Sequence, residues 1–439
     1  MKVMKFGGTS VGKPHRMHEV ANLITKDTEP KLVVLSAVSG TTNNLVEIGN
    51  DLSIGNKQEA KAKIDALEAQ YQAFIKELVT TPEALQKAED VLKEHFEFLN
   101  IILRISYNEA LNKDILAQGE LLSTKLFSIY LAEKGIDHVL LPALDFMSID
   151  QNDEPQVEVI REKLEAALKQ HEGKKLFITQ GYICRNARGE VDNLKRGGSD
   201  YSASLIAAAI RASACEIWTD ISGMHNNDPR VVNKTLPIDQ LSFEEAAELA
   251  YFGAKILHPA SIWPAQQYNI PVKLLNTMEP EAKGTIIVKE AASAGVKAIA
   301  AKDGITAINI RSSRMLLAYG FLRKVFEVFE KYRTPIDMIT TSEVAVSVTI
   351  DSDAFLNDIV RELESFSTVS VDRGQTIVSV VGNEIADKPG TLKRVFESIE
   401  QVNVRMVSFG GSAHNISILV ESKDKVVVLQ GLNSGLFGL

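Results

Sequence analysis

The chain has 439 residues, of which 48 are Lys or Arg and 57 are Asp or Glu, so its formal net charge is −9. Because domains average about 100–200 residues, this length predicts several domains. The basic residues are scattered, and no apolar run approaches the roughly 18 residues of a membrane span, so the sequence predicts a cytoplasmic protein that binds neither nucleic acid nor membrane.

Cys184 and Cys215 are the only cysteines in the sequence. Two cysteines are too few for a disulfide framework or a cysteine-built metal site, so we expect both to be small buried side chains. No histidine spacing indicates a metal cage either, and no metal site made of protein residues is predicted.

Short apolar runs alternate with helical stretches through the first two thirds of the chain: MKVMKF, KLVVLSAVSG, HVLLPAL, KLFITQGYI, CEIWTDISG and NIPVKLL. This alternation predicts an α/β domain with a mainly parallel sheet sandwiched by helices. Residues 51–112 show no strand pattern, and apolar side chains recur there at steps of three and four residues. That spacing predicts a helical excursion from the sheet.

Beyond about residue 295 the chain repeats itself. GFLRKVFEVFE begins at Gly320 and GTLKRVFESIE begins 70 residues later at Gly390, which indicates a duplicated small α/β unit. The second copy lacks a closing strand, and we expect the unassigned segment just before the first copy to complete its sheet. The predicted domains are a large domain at 1–294, a first small unit at 304–374, and a second small unit made of 295–303 and 375–439.

The first motif, KFGGTSVGKP, nearly matches the phosphate-binding pattern G-x-x-x-x-G-K-[ST], with Gly7 and Lys13 in place. The next position is Pro14, which has no hydroxyl for magnesium and no N–H for phosphate. Lys5, the last residue of the strand before this turn, could instead point its ammonium at phosphates that pass over Gly7 and Gly8. Alternatively, the two glycines form only a tight turn and Lys5 is a surface lysine.

Three further polar stretches follow predicted strands: SGTTN at 39–43, GGSD at 197–200 and WTD at 218–220. Ligands bind outside the carboxyl ends of strands in open α/β sheets, so we expect the site along that edge. The second stretch begins an Ala-rich helix, whose N-terminal N–H groups beside Lys195 and Arg196 predict an anion site. Simple capping of this helix by Ser199 or Asp200 is the alternative.

Other polar residues have simpler explanations when taken singly. Asp228 and Arg230 in HNNDPRVV are typical of a solvated loop, Lys255 in FGAKILHP of a helix C-terminus, and Glu120 in AQGELLSTKL of a first helical turn. No Ser/His/Asp arrangement is evident, so covalent nucleophilic catalysis has no candidate.

The stretches KFGGTSVG, LSAVSGTTNNL, QGELLST, TQGYI, KRGGSDYSA, WTDISG, DPRVV and FGAKILHPA, in this order, resemble the aspartokinases of the amino-acid kinase family over essentially the whole chain. The duplicated unit resembles that family's tandem ACT domains, which implies two ferredoxin-like ACT units after the kinase domain. The resemblance implies transfer of the ATP γ-phosphoryl group to the β-carboxylate of L-aspartate, the first step of lysine, threonine and methionine biosynthesis.

The same resemblance implies roles for individual residues. Lys5 would stabilise the transferring phosphoryl group, and Asp200 would organise the site beside it. The positions that correspond to aspartate binding are Ser39, Thr42, Glu120, Arg196 and Ser199. The nucleotide-side positions are Gly7, Gly8, Gly198, Thr219, Asp220, His225, Asp228, Arg230 and Lys255. His225 departs from the family pattern, which commonly has tyrosine there, and Mg²⁺ is implied as a companion of ATP, held mainly through the nucleotide.

The ACT resemblance implies an amino-acid effector, with L-lysine expected, and a homodimer formed through the ACT units. The effector positions are Met315, Ala318, Phe321, Leu322, Asp337, Thr341 and Ser342. Asp337 is expected to pair with the effector's ammonium, while Ala318 stands where lysine-inhibited relatives often have serine. Two alternatives remain open, namely a kinase for another amino acid and an amino-acid sensor whose kinase site is dead.

Overall fold

The computed structural model describes residues 1–195, 197–253, 257–291, 294–312 and 319–439. Four predicted site residues lie outside the described residues: Arg196, Lys255, Met315 and Ala318. The chain divides into two compact units. The first consists of Met1–Met224, Asp239–Phe243 and Ile256–Glu290, and the second of His225–Ile238, Glu244–Lys255 and Ala291–Leu439.

The first unit is built on a mainly parallel sheet with the strand order β3-β4-β2-β1-β7-β9-β10-β8. Its strands are β1 (Lys2–Phe6), β2 (Lys31–Leu35), β3 (Val139–Leu140), β4 (Leu176–Gln180), β7 (Cys215–Thr219), β8 (Gln240–Ser242), β9 (Val272–Asn276) and β10 (Thr285–Val288), and a separate hairpin consists of β5 (Ile183–Arg185) and β6 (Val191–Asn193). β1 lies between β2 and β7 and runs parallel to both, with Lys5 in register with Val34 and Ile217. The predicted α/β fold class is thereby confirmed, because the buried apolar runs pair as parallel strands.

Helices accompany this sheet: α1 (Pro14–Thr25), α2 (Thr41–Ser53), α3 (Lys57–Leu78), α4 (Pro82–Ile102), α5 (Glu109–Glu133), α6 (Val157–Lys169), α7 (Gly198–Ala209) and α9 (Trp263–Gln267). The helix α8 (Phe243–Tyr251) belongs, from Glu244 onward, to the second unit. The stretch predicted as a helical excursion contains α3 and α4. Thr81 caps α4, since its hydroxyl accepts from the Ala84 N–H at 3.3 Å, and Pro82 occupies the first turn. Leu92 and Leu99 on this helix are buried in the same hydrophobic core as Tyr71 of α3. Among the described residues, no helix combines the length and the apolar character needed to cross a membrane.

The second unit contains an antiparallel sheet with the order β12-β13-β11-β14-β16-β15. Its elements are β11 (Gly295–Arg311), α10 (Phe321–Lys331), β12 (Ile339–Thr341), β13 (Ala345–Ile350), α11 (Leu356–Glu364), β14 (Thr368–Asn383), α12 (Thr391–Glu397), β15 (Met406–Ser408), β16 (Asn415–Glu421) and α13 (Lys425–Phe437).

Two long strands run through both halves of this sheet. Residues 295–302 of β11 pair with 377–383 of β14, whereas residues 305–311 pair with 368–375, and register shifts separate the two stretches. The segment before the first copy, which was expected to complete the sheet of the second copy, therefore pairs with the first strand of that second copy, residues 377–383. Each half has its own hydrophobic core, one containing Ile308 and Val325 and the other Val378 and Leu429.

Two segments from the middle of the chain, His225–Ile238 and Glu244–Lys255, belong to the same unit as the C-terminal sheet. The sequence patterns had instead predicted that all of 1–294 forms one domain. The Asn226 carbonyl accepts from the Ile299 N–H of β11 at 2.8 Å, and the Asn227 side-chain amide donates to the Leu429 carbonyl of α13 at 3.1 Å. Gly253 has φ +123°, and a Cβ there would lie 2.2 Å from the Ala301 carbonyl oxygen. These contacts join residues distant in sequence, so local patterns do not reveal them. The predicted boundaries themselves stay predictions.

Candidate active site

Lys5 and Asp200, predicted to act together, lie side by side. The Lys5 Nζ is 2.6 Å from Asp200 Oδ1, and the two side chains are 11% and 18% exposed. Lys5 is carried by the central strand β1, and Asp200 by the first turn of α7. A Cβ at Gly7 would lie 3.2 Å from the Lys5 Nζ, so glycine there leaves space for the ammonium.

Lys13, the lysine of the near-match to the phosphate-binding pattern, is exposed and directly precedes α1. The helix begins at Pro14, whose missing N–H is tolerated in the first turn. Gly7 therefore lies beside the Lys5 ammonium, whereas Lys13 lies exposed at the start of α1, and the role of Lys5 stays a prediction.

The glycines at the start of α7 allow close packing. Gly197 and Gly198 have φ of +66° and +48°, and a Cβ on Gly197 would lie 2.6 Å from the Ser261 Cβ. The buried Ser199 packs against Gly181, where a Cβ would come within 2.4 Å of the Ser199 side chain. The N-cap of α7 is Gly197, no described side chain makes a capping hydrogen bond there, and the Asp200 carboxylate pairs with Lys5. A helix N-terminus beside an ammonium is suited to an anion.

Glu120 lies in the middle of α5, and the interpretation of this residue as a first-turn acid is wrong. The helix begins eleven residues earlier, where the Asn108 side chain accepts from the Leu111 N–H at 2.8 Å. Gly119 does not end the helix but lets it approach the loop after β2, because a Cβ there would lie 2.8 Å from the Ala37 Cβ.

The Glu120 side chain is 3% exposed. Its Oε1 accepts from the Ala37 N–H at 3.3 Å, whereas Oε2 has no hydrogen-bond partner among the described residues. Burial raises the pKa of Glu120 to about 8, against smaller opposing backbone hydrogen bonds. A buried carboxylate oxygen without a donor is ready to receive one from a ligand.

Other predicted residues surround the same strand ends. A Cβ on Gly8 would lie 3.1 Å from the Ala37 carbonyl oxygen and 3.6 Å from the Ser39 Cα, so the turns after β1 and β2 touch. Thr42 lies in the first turn of α2. Thr219 ends β7, and its hydroxyl donates to Asp220 Oδ1 at 3.1 Å.

His225, Asp228 and Arg230 belong to the second unit. The His225 Nδ1 is 2.8 Å from Thr235 Oγ1. The Arg230 guanidinium donates to both carboxylate oxygens of Asp228, at 2.9 and 2.8 Å, and these bonds hold the pKa of Asp228 below its usual range.

Tyr182, which no sequence pattern singled out, lies against α7. Its φ of +66° is unusual for a residue with a side chain, and its N–H donates to Ser202 Oγ at 2.7 Å. A Cβ on Gly198 would lie 3.8 Å from the Tyr182 ring. One feature of the sequence could have identified Tyr182. Gly181 and Tyr182 directly follow the carboxyl end of β4, and the other predicted ligand-binding stretches also follow strands.

The described effector positions are distributed over the first half of the C-terminal sheet. Phe321 and Leu322 begin α10, Thr341 ends β12, and Ser342 follows it. Asp337 was expected to offer a carboxylate to an effector, but its Oδ1 already accepts from the Lys302 Nζ at 2.7 Å and from the Tyr251 hydroxyl at 2.8 Å. Neither of these partners was predicted.

Comparisons with known proteins show the family of this chain. The sequence profile of the amino acid kinase family matches residues 1–276, and an ACT domain profile matches residues 378–436. The lysine-sensitive aspartokinase 3 of Escherichia coli is 35% identical over 99% of both chains.

Two solved structures of E. coli aspartokinase III, each 35% identical, also resemble this one. The complex with aspartate and ADP, in the R-state, gives a TM-score of 0.85 and covers 100% of each chain. The complex with lysine and aspartate, in the T-state, gives 0.83 and covers 100% of this chain and 99% of that one. On these grounds the chain belongs to the amino acid kinase family and, within it, to the aspartokinases.

Proposed function

We propose that this chain transfers the γ-phosphoryl group of ATP to the β-carboxylate of L-aspartate at the strand ends around Lys5. An oxygen of the carboxylate attacks the γ-phosphorus, the bond to the bridging oxygen of ADP breaks, and ADP leaves with the electron pair. Because the carboxylate enters ionised, no general base is required. The observation that carries the proposal is the Lys5–Asp200 pair at 2.6 Å beside Gly7 and the N-terminus of α7.

Lys5 is the proposed source of positive charge for the transferring group. Phosphoryl transfer depends on positioning and on neutralising the charge of the phosphate oxygens, with little covalent help from the protein. Asp200 holds the ammonium in place, since the ion pair removes most of the freedom of a long flexible side chain. The backbone of Gly7, Gly8 and Gly198 would donate to phosphate oxygens.

Glu120 is the proposed partner of the substrate's amino group. The pKa of about 8 makes the carboxyl group predominantly neutral at pH 7, and an ammonium next to Oε2 would favour the ionised form. The pairing selects a free amino acid over an N-acylated one. Ser39, Thr42 and Ser199 complete the proposed aspartate site, and Arg196 would hold a carboxylate through its two parallel N–H groups.

On the nucleotide side we assign Thr219, Asp220, His225, Asp228, Arg230 and Lys255. Mg²⁺ would enter with ATP, and this cation commonly uses one or two carboxylates together with substrate phosphates. Among the described residues, no three His, Cys, Asp or Glu side chains cluster into a metal site, so the cation would be held mainly through the nucleotide, with the Asp220 carboxylate directly after β7 as a candidate protein donor. When bound, it would neutralise phosphate charge.

L-Lysine is the proposed effector, acting through the ACT units of a homodimer. Asp337 supports this assignment because its Oδ2 has no hydrogen-bond partner among the described residues. A relative at 35% identity is named lysine-sensitive, and one E. coli structure contains lysine. We propose the remaining effector positions as in the sequence analysis, and the cytoplasmic location stays a prediction.

ADP formation tests the proposal, with aspartate, glutamate or N-acetylglutamate as acceptor and hydroxylamine to trap the acyl phosphate. We expect a hydroxamate product with aspartate, and inhibition by lysine but not by threonine or methionine. Turnover with glutamate in place of aspartate would support the kinase for another amino acid. No product with any acceptor would support the dead sensor.

A further inference from the structure

Asp337 takes part in a compact cluster of four side chains in the second unit. Lys302, at the register shift in the middle of β11, places its Nζ 2.7 Å from Asp337 Oδ1 and 2.9 Å from Asp351 Oδ2. The Tyr251 hydroxyl donates to the same Asp337 Oδ1 at 2.8 Å, and the Lys302 Nζ lies 4.5 Å from the centre of the Tyr251 ring. We call Tyr251, Lys302, Asp337 and Asp351 the Lys302 cluster.

The charges of the Lys302 cluster do not balance. Two carboxylates share one ammonium, which leaves a net charge of −1 if all three groups are ionised. The Asp337 side chain is 2% exposed, and its Oδ2 has no hydrogen-bond partner in the described part of the chain. Burial lowers the pKa of Lys302, but hydrogen bonds and charge from Asp337 and Asp351 outweigh it and leave this pKa above its ordinary value. The Lys302 ammonium is therefore charged, and it already neutralises part of the negative charge that Asp337 would offer to an effector.

The Lys302 ammonium is the same chemical group that free L-lysine would bring to Asp337. Oδ1 of Asp337 already accepts from an ammonium and from a hydroxyl, which is the usual capacity of one carboxylate oxygen. We propose that Lys302 and Tyr251 act as internal competitors of the effector at Asp337, so that the effector binds tightly only where it displaces them. This proposal rests on the effector assignment made above.

Displacement of Tyr251 would also affect the packing of α8. Tyr251 ends α8, and Glu248 on the same helix accepts from the Asn415 amide of β16 at 2.8 Å. An effector that removes the Tyr251 hydroxyl from Asp337 therefore removes one of the contacts that hold this helix to the C-terminal sheet.

Calorimetric titration of the full-length protein with L-lysine tests the competition without requiring turnover. We expect Lys302→Met to lower the Kd of lysine about tenfold, because a charge-assisted hydrogen bond no longer has to be broken. Tyr251→Phe should lower it by about two- to fivefold. Lys302→Arg keeps a cation at the cluster and should stay within about twofold of the wild type.

Lys331→Met is the matched control. The Lys331 Nζ of α10 pairs with the Glu362 carboxylate of α11 at 2.6 Å, in the same half of the sheet as Asp337. The substitution therefore removes a lysine ion pair that does not involve Asp337. Neither its Kd for lysine nor its uninhibited kcat should change. Circular dichroism and thermal unfolding establish that each variant is folded.

The proposed competition is wrong if the Kd of lysine is unchanged or raised in both Lys302→Met and Tyr251→Phe while Lys302→Arg is folded. Lysine binding that appears only in Lys302→Met supports it, and absence of binding in the wild type and in both variants overturns it. A protein that forms no hydroxamate with aspartate refutes the proposed kinase activity separately, since the titration measures binding alone.

Discussion

Replacement of Lys5 by alanine removes the ammonium that we place at the transferring phosphoryl group. Its Nζ is 2.6 Å from Asp200 Oδ1, and both side chains are largely buried. Loss of one preorganised electrostatic contact of this kind typically costs about 3–4 kcal/mol of transition-state stabilisation, which is about 10²–10³ in kcat. We therefore expect Lys5→Ala to retain at most about 1% of wild-type kcat.

The same substitution leaves the Asp200 carboxylate uncompensated. Breaking a fully buried pair from one side costs about 3–5 kcal/mol, and the residual exposure of these side chains reduces this to about 1–3 kcal/mol. A double-mutant cycle with Asp200→Asn separates the two effects. The variant Lys5→Ala/Asp200→Asn should recover stability in urea unfolding, because no buried charge remains unpaired, but it should not recover kcat.

The control is Lys13→Ala, since Lys13 is exposed and precedes α1. Activity is followed as aspartate-dependent ADP formation at saturating ATP and aspartate. A Lys5→Ala enzyme within about threefold of wild-type kcat would refute the role of Lys5, because that is far less than the electrostatic contribution expected. A comparable loss in Lys13→Ala would restore the phosphate-binding pattern rejected above.

Three other substitutions test the aspartate side. Burial raises the pKa of Glu120 to about 8 in the folded state. Between the ordinary pKa of a glutamate and pH 8, the folded protein therefore binds more protons than the unfolded chain. Because of this difference, Glu120 makes the folded state less stable as the pH rises through this range. In thermal unfolding between pH 5 and 8, the free energy of unfolding of Glu120→Gln should therefore rise relative to that of the wild type by up to about 1 kcal/mol per pH unit. The KM of this variant for aspartate should rise at least tenfold. A stability difference that does not depend on pH would contradict the burial argument. Gly119→Ala should raise the KM for aspartate more than that for ATP, because the new Cβ would lie 2.8 Å from the Ala37 Cβ and push Glu120 off its Ala37 N–H; equal changes in both KM values would speak against it. Arg196→Lys should likewise affect aspartate more than ATP, since lysine lacks the fork of two N–H groups, and a selective change for ATP would move this residue to the nucleotide side.

Much of the kinase-type unit could be predicted because its signals are local. Alternating apolar runs, the proline after Lys13 and the glycines at 7–8 and 197–198 each act within a few residues, and they led to the parallel sheet and to the Lys5 and Asp200 strand ends. Glu120 was placed wrongly in its helix, and its role in the site stays a prediction. A glycine normally counts against a helix interior, and only the packing of Gly119 on Ala37 explains why the helix continues through it.

The regulatory half shows the limit of sequence patterns more clearly. A 70-residue repeat can be recognised by comparing the amino-acid sequence with itself. The duplication and the strand missing from the second copy could therefore be predicted from the sequence. Nothing in one dimension relates Lys302 to Asp337, Tyr251 to Asp337, or Asn226 to Ile299, since these pairs are separated by between 35 and 86 residues and depend on which strand edges meet. Residue patterns indicated most of the helices and strands, the family resemblance and the residues that bring charge. Which charges are already paired follows from the folded arrangement, because pairing depends on distance in space and on the loss of water around buried groups.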